Sequence, residues 1–258
     1  MSKSNSQQIN VLANQLVEYY QQAELEIAKK LQGDLTQWKT SYLKQRQKEV
    51  KAILDNLKMV SNSWTNQQIP NLYKSGIILA DSRLPKGKVG MSNIHQENVV
   101  RLTGNLMKDL TGSIEYVGRR VDDIFRSLSL KSLMEGSIEG ENRRKATERL
   151  VKSLEKNGIS SFQDKVGREW NLKSYSEMVI RTTSRESTNT GLKTRMVERG
   201  YDLVEITSHS DACDKCEPFE GQIFSLTGET KGYPTLDEAE AEGLFHPNCI
   251  HVPVPYIE

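Results

Sequence analysis

The chain has 258 residues, 35 Lys+Arg against 34 Asp+Glu (formal net charge +1), and 36% hydrophobic residues, with a mean hydropathy of −0.60. No apolar run approaches the roughly 18 residues needed to span a bilayer, and the polar start Met1-Ser-Lys-Ser-Asn-Ser lacks an apolar signal core. Three cysteines provide no even disulfide framework, so a membrane protein and a secreted disulfide scaffold are both excluded in favour of a chain made and kept in a cytoplasm, or in something assembled there.

Residues 7–31 place Ile9, Leu12, Ala13, Leu16, Tyr19, Tyr20, Ala23, Ile27 and Leu31 at three- and four-residue steps, which predicts one apolar helical stripe. Gly33-Asp34 interrupts it, with Asp34 and Gln37 in capping-box positions for the next helix. A second stripe follows at Leu35, Trp38, Tyr42, Val50, Ile53, Leu54, Leu57 and Val60, across a polar middle from Lys44 to Glu49. Two long helices with a tight break predict an antiparallel hairpin over 1–65, and Trp38, Tyr42 and Trp64 read as its core.

Pro70 suits the first turn of a third helix near 70–82, and Leu84-Pro-Lys-Gly-Lys-Val-Gly90 is a turn-rich break. Helical patterns resume at about 94–110, 113–135 and 140–157, completing a helical body over 66–158. The pairs Arg119-Arg120 and Arg143-Arg144 are basic surface features that suit nucleic acid or simple solvation. After Gly158 the texture changes. Asp164-Lys-Val-Gly167 fits a turn between two short strands, 173–199 a helix closed by Gly200, and Leu203–Ile206, Gln222–Ser225 and Ile250–Val254 three short strands. Pro253 and Pro255 put the last at an edge. The expected fold is therefore α+β: a helical hairpin, a helical body, and a small α+β domain over 159–258.

The charge is unevenly spread. Residues 201–258 hold two Lys/Arg and twelve Asp/Glu, net −10, leaving net +11 for residues 1–200. A basic body joined to an acidic cap suits either two contact surfaces or two solvated ones. All three cysteines and three of four histidines also lie in this C-terminal tract, as His209-Ser-Asp-Ala-Cys213-Asp-Lys-Cys216 and His246-Pro-Asn-Cys249-Ile-His251. Five groups, Cys213, Cys216, His246, Cys249 and His251, have the chemistry of zinc ligands, and a structural tetrahedral site needs four. Cys-x₂-Cys can close on one ion from a single turn, with His246 and Cys249 supplying the other half and His251 in reserve. The intervening 217–245 then becomes a loop or hairpin closed by the metal. The alternatives are buried thiols and histidines bonded to backbone, or a Cys249 nucleophile with His251 or His209. A zinc deaminase is excluded by spacing, because His209 lies too close to Cys213 and is followed by Asp211 rather than Glu.

The run Phe162-Gln-Asp-Lys-Val-Gly-Arg-Glu-Trp170, Tyr175-Ser-Glu-Met-Val-Ile-Arg181-Thr-Thr183, Gly200-Tyr-Asp-Leu-Val204, His209, Asp211, Cys213, Cys216, Gly221 and His246-Pro-Asn-Cys249-Ile-His251 resembles the phage minor capsid protein 2 family, related to the Mu F-type minor head proteins. Ile250 departs from the Arg of that family's His-Pro-Asn-Cys-Arg run. The resemblance implies a non-enzymatic virion component of a tailed phage or prophage, at the portal vertex or inside the head. Its expected partners are the portal protein and other head proteins, and packaged DNA is a further candidate. Its expected role is in head assembly or DNA ejection. The chain ends just past the motif, so the toxin domain carried by some relatives is not expected. Arg181, Thr182, Glu186 and Asn189 on the preceding helix are candidates to bond the Cys/His loops, or are plain surface polarity. A Cys/His-dependent hydrolase or toxin-like enzyme and a basic DNA-binding accessory are the competing readings. The long helices are compatible with a lone hairpin or an oligomeric coil.

Overall fold

The computed structural model describes residues 2–31, 40–87, 90–133, 162–163, 167–210 and 212–257. Among them, five α-helices and five strands run in the order α1 (Ser2–Lys30), α2 (Thr40–Arg83), α3 (Ile94–Leu133), β1 (Phe162–Gln163), β2 (Glu169–Trp170), α4 (Leu172–Glu198), β3 (Leu203–Ile206), β4 (Ile223–Ser225), α5 (Leu236–Glu242) and β5 (Pro253–Pro255). The fold is mostly helical α+β, as the sequence predicts. The expected Gly33-Asp34 break, Leu35, Trp38, the 140–157 helix with Arg143 and Arg144, and Asp211 lie outside the described residues. None of the described helices is long and apolar enough to cross a membrane. Two compact units result, one of Met1–Gln15, Ser63–Met107 and Met178–Glu258, the other of Leu16–Asn62 and Lys108–Glu177.

Two helix boundaries differ from the sequence reading. Pro70 lies inside α2 rather than at the start of a third helix. A proline within a helix removes one backbone donor and crowds the preceding turn. The buried positions explain why the helix continues: Leu54, Leu57, Ser61, Thr65, Ile69, Leu72, Tyr73, Ile77, Ala80 and Leu84 keep the three-to-four spacing straight through the proline. Likewise 94–110 and 113–135 are one helix, α3, because Leu102, Leu106, Leu110, Ile114, Val117, Val121 and Ile124 form one buried stripe.

In the unit of Leu16–Asn62 and Lys108–Glu177, the α1–α2 pairing is antiparallel: Tyr20 meets Ser61 (hydroxyl oxygens 2.8 Å apart) and Lys30 meets Glu49 (3.0 Å). The wholly polar stretch of α2 is where ion pairs collect. Lys30 and Arg46 both donate to Glu49 and lower its carboxyl to about 2. Gln47 donates to Asp122 of α3, and Lys58 pairs with Glu115. Tyr42 is exposed, not core as expected; its ring lies under the Arg46 guanidinium at 4.8 Å. The predicted strand hairpin is present, with Phe162 opposite Trp170 and Gln163 opposite Glu169; its turn residues 164–166 lie outside the described residues.

In the other unit, α2 and α4 come into near backbone contact. A Cβ on Gly76 would lie 1.9 Å from the Thr188 carbonyl oxygen, and one on Gly191 would lie 2.1 Å from that of Tyr73. Only glycine fits at either position. Small hydroxyl residues on α4 (Ser184, Ser187 and Thr188) are buried here, and Ser187 satisfies its hydroxyl on the Thr183 carbonyl. Beside the crossing, Glu198 of α4 ties three segments together. It accepts from the Ser92 backbone N–H (2.7 Å), Arg195 Nη1 (2.7 Å) and His95 Nε2 (3.0 Å). A carboxylate only accepts, so Nε2 of His95 carries the proton and Nδ1 faces the Tyr73 hydroxyl at 3.0 Å. Burial pushes the Glu198 carboxyl up, but these donors outweigh it and leave the group at about 2.

Helix α4 ends as predicted at Gly200 (φ 78°), where Gly200 N–H bonds Val197 O and Tyr201 N–H bonds Met196 O, a Schellman closure. The chain then enters a three-stranded antiparallel sheet ordered β4-β3-β5. Its proline-bearing strand β5 is at an edge, as the sequence reading requires. The region 217–245, expected to be a loop or hairpin, also contains α5. A capping box builds that helix: Thr235 accepts from the Glu238 backbone and the Glu238 side chain returns to Thr235. Ala80 of α2, Leu84 just past its end, Leu192 and Met196 of α4, Val204, Ile206, Phe219, Phe224, Leu236, Ala239, Leu244, Cys216 and Cys249 form one core.

Three outcomes are expected. Gly76→Ala should destabilise the protein by about 2 kcal/mol or more, since the intruding carbon meets rigid backbone. Gly118→Ala, whose new carbon would meet only Leu54 Cδ1 at 3.6 Å, should be neutral or stabilising by about 0.5–1 kcal/mol; urea unfolding followed by circular dichroism checks both. Glu198 has a folded pKa below the unfolded value of about 4.3, so its contribution is present above that value and is lost as pH falls toward about 2. Glu198→Gln should flatten the stability profile in that window, and an unchanged profile would overturn the assignment.

Candidate functional site

Two turns present the sulfur and imidazole groups. The first runs from Cys213 to Phe219 and is closed by the Cys216 N–H to Cys213 O bond (2.9 Å) and a short 3₁₀ helix, Glu217–Phe219. The second, 245–249, follows α5, with Phe245 (φ 60°) and Asn248 (φ 65°) both in the left-handed region. A left-handed phenylalanine is uncommon and costs energy. These two residues bracket His246 and aim it back at the first turn.

All five candidate residues are brought together. Cys213 Sγ lies 3.0 Å from His246 Nε2, Cys216 Sγ 3.5 Å from Cys249 Sγ, and Cys249 Sγ 3.4 Å from His251 Nδ1. The donor atoms of Cys213, Cys216 and His246 lie within 4.8 Å of one another, as do those of Cys216, Cys249 and His251, so Cys216 belongs to both groups. The three cysteines are free thiols. Cys213 is exposed, His246 half-buried, and Cys216, Cys249 and His251 buried.

Each imidazole is held with one nitrogen open toward sulfur. His246 Nδ1 faces the Pro247 carbonyl at 2.8 Å, which requires a proton there and leaves the Nε2 lone pair for Cys213. His251 Nε2 faces Glu220 Oε1 at 2.7 Å, leaving Nδ1 for Cys249. Glu220 also accepts from the His209 backbone N–H (2.7 Å), and the His209 ring packs edge-on to His251 at 5.0 Å. Thr207 Oγ1 completes the bracket: it lies 2.9 Å from His209 Nε2 and accepts from the Val252 N–H. The pattern of carboxylate, histidine and open ring nitrogen is one that orients histidine ligands in metal sites.

The electrostatics separate the three thiols. Backbone N–H groups of Cys216 and Lys215 lower the Cys213 thiol to about 7. Burial pushes Cys216 up to about 12. Burial also raises Cys249, but the hydrogen bonds from His251 more than offset this and leave it below the usual thiol range. His251 is in turn raised: burial lowers it, and Cys249 and Glu220 outweigh that.

Helix α4 contributes a residue that the sequence reading passed over. Arg181 donates to Asn14 of α1 (2.9 Å). Burial lowers the pKa of Arg185, one turn further on, and the nearby Cys249 offsets only part of this. Thr182, Arg185, Glu186, Asn189 and Lys193 line a cavity of about 400 Å³ together with Phe245 and His246. Their three- and four-residue spacing was legible in the sequence, but nothing there distinguished a buried polar stripe from a solvated one. Glu220 and Thr207 were missed for a different reason, since they orient donors and belong to no donor motif.

The comparisons with known proteins agree with this architecture. The phage minor capsid protein 2 family matches residues 5–258, so the chain belongs to that family of structural phage proteins. A protein of Lactococcus phage LL-H described as "Structural protein" is 29% identical over 103 residues, 37% of this chain. The match covers 28% of that relative's length. No solved structure matches.

Replacing Glu220 with Gln keeps an oxygen for the His251 and His209 backbone hydrogen bonds, both of which fall on Oε1, but removes the negative charge that strengthens them. Glu220→Gln should lower the thermal midpoint of the protein while leaving Glu198→Gln acid behaviour unaltered. An unchanged melting curve would remove Glu220 from the bracket.

Proposed function

We propose that this chain is a minor head component of a tailed phage that works by docking to other head proteins, at the portal vertex or head interior, in assembly or DNA ejection. In this reading its C-terminal module is clamped by one structural zinc ion. Family membership supports the virion role. The observation that supports the clamp is the meeting of Cys213, Cys216, His246 and Cys249 from two turns 33 residues apart in sequence. Three thiols and an imidazole match the borderline-soft preference of zinc, and four such ligands complete a closed tetrahedral site. His246 Nε2 already faces the Cys213 sulfur, and the Cys216 sulfur, shared by both donor groups, faces that of Cys249. His251, held by Glu220, then serves as a positioning residue behind Cys249. When bound, the ion would link the turn before β4 to the turn before β5 and offset the strain at Phe245 and Asn248.

Elemental analysis of the purified protein should find about one zinc per chain. Cys216→Ser should abolish binding, since that sulfur belongs to both donor groups, and His251→Ala should weaken it without abolishing it. Stripping with a chelator should expose thiols to iodoacetamide, Cys213 first. A metal-free protein whose thiols react equally with and without chelator would overturn the clamp and leave the virion role standing. For that role, co-purification of the tagged chain with intact phage heads is the test, and absence from purified virions would overturn it.

The enzymatic reading rests on one feature: Cys249, His251 and Glu220 stand in a nucleophile–base–orienter sequence. Cys249 is 3% and His251 1% exposed, and neither lines the adjacent cavity. A nucleophile must reach its substrate, so this arrangement favours a structural role.

A further inference from the structure

We propose that the cavity beside His246 is a binding site for a carboxylate group, with Arg185 as its anchor. Arg185 is 5% exposed, so its guanidinium is almost fully withdrawn from water, and its Nε has no hydrogen-bond partner among the described residues. Burying an arginine edge without an acceptor is costly. Burial also lowers its pKa, which is the same cost seen in the charge. The Thr182 hydroxyl lines the same cavity and is likewise buried without a partner. Arg185 and Thr182, on successive turns of α4, thus both line one space of about 400 Å³, far larger than a water molecule requires, and each holds a buried polar atom without a partner among the described residues.

The charge balance selects the ligand. Two other cations line the cavity, but each already has a carboxylate: Arg101 pairs with Glu186 (3.4 Å) and Lys193 with Glu240 (2.8 Å). Cys249 favours the Arg185 charge, yet it makes its own close contact with His251. The cavity therefore carries about one unit of positive charge not met by a paired carboxylate. A guanidinium presents paired N–H groups that match the two coplanar oxygens of a carboxylate, and Arg185 has no carboxylate partner of its own among the described residues. A phosphate would bring close to two charges into a space that already contains Glu186 and Glu240. A nucleic-acid backbone would need a track of uncompensated cations, and the acidic tract that follows α4 opposes it. The carboxylate can come from a small acid or from an acidic side chain of a protein segment. Phe245 gives the cavity an apolar wall against which a methylene stem can pack.

The test is isothermal titration of the full-length protein with glutarate, a blocked glutamate tetrapeptide, its glutamine counterpart, inorganic phosphate and duplex DNA. Glutarate and the glutamate peptide should bind and the glutamine peptide should not. Tighter binding of the peptide identifies a protein segment as the ligand, and equal binding a small acid. Arg185→Gln should weaken the carboxylates by about tenfold or more, and Arg101→Gln, an exposed pair, by less than about twofold. Should Arg185→Gln fail to melt like the parent, Arg185→Lys and Thr182→Val replace it, each expected to weaken binding several-fold by removing the planar fork or the hydroxyl. Zinc content, measured alongside, separates a failed cavity from a failed clamp. The proposal is overturned if no carboxylate probe binds at millimolar concentration. It is equally overturned if phosphate or DNA binds where the carboxylates do not, or if variants of native melting behaviour leave carboxylate affinity unchanged.

Discussion

The close approach of α2 and α4 at Gly76 and Gly191 is the constraint from which the rest of its unit follows. With a hydrogen in place of a side chain on each helix, backbone meets backbone, and small hydroxyl residues fill the seam instead of large apolar ones. That contact brings Ala80 and Leu84 level with Leu192 and Met196, and the sheet and α5 pack onto the resulting surface. Each large apolar side chain fully buried there contributes about 1.5–3 kcal/mol against remaining exposed. Cys216 and Cys249 are part of this same core, so the packing and the sulfur cluster are built from shared residues.

Helix α4 carries most of the polar information. One side holds Glu198 and Arg195 in a network with Asp81, His95 and Ser92. Another side presents Thr182, Arg185 and Asn189 to the cavity beside His246. A helix this polar has little intrinsic reason to be buried, and it is stable because its polar groups meet partners on other segments. Arg185 Nε and the Thr182 and Ser184 hydroxyls are exceptions, buried with no hydrogen-bond partner among the described residues.

The sulfur and imidazole cluster is arranged by groups that would not themselves touch a metal. Pro247 O and Glu220 decide which nitrogen of each histidine is open, and backbone N–H groups favour the thiolate at Cys213. Left-handed Phe245 and Asn248 turn the second loop back toward the first. The result is a small module whose two turns meet at side chains rather than through the sheet.

Local pattern determined the elements. Three-and-four spacing specified the long helices, alternation and prolines specified β3 and the edge strand β5, and a glycine after Val197 specified the end of α4, because each depends only on neighbours in the chain. Cys-x₂-Cys and His-x₂-Cys likewise marked four of the five clustered residues, with His251 two positions further on, and the family motif was written in the same tract. Tertiary packing decided what local pattern could not. Pro70 stays inside α2 because one continuous buried stripe outweighs a single lost backbone bond. Tyr42 faces water because the Arg46–Glu49 ion pairs occupy that side of the hairpin. Helix α5 stands where a loop or hairpin was expected, held by the capping box at Thr235 and by Leu236 and Ala239 in the core. That Arg185, rather than Arg181, stands beside the sulfur cluster depends on the rotation of α4 against α2, which two glycines and a carbonyl contact set across more than a hundred residues of chain.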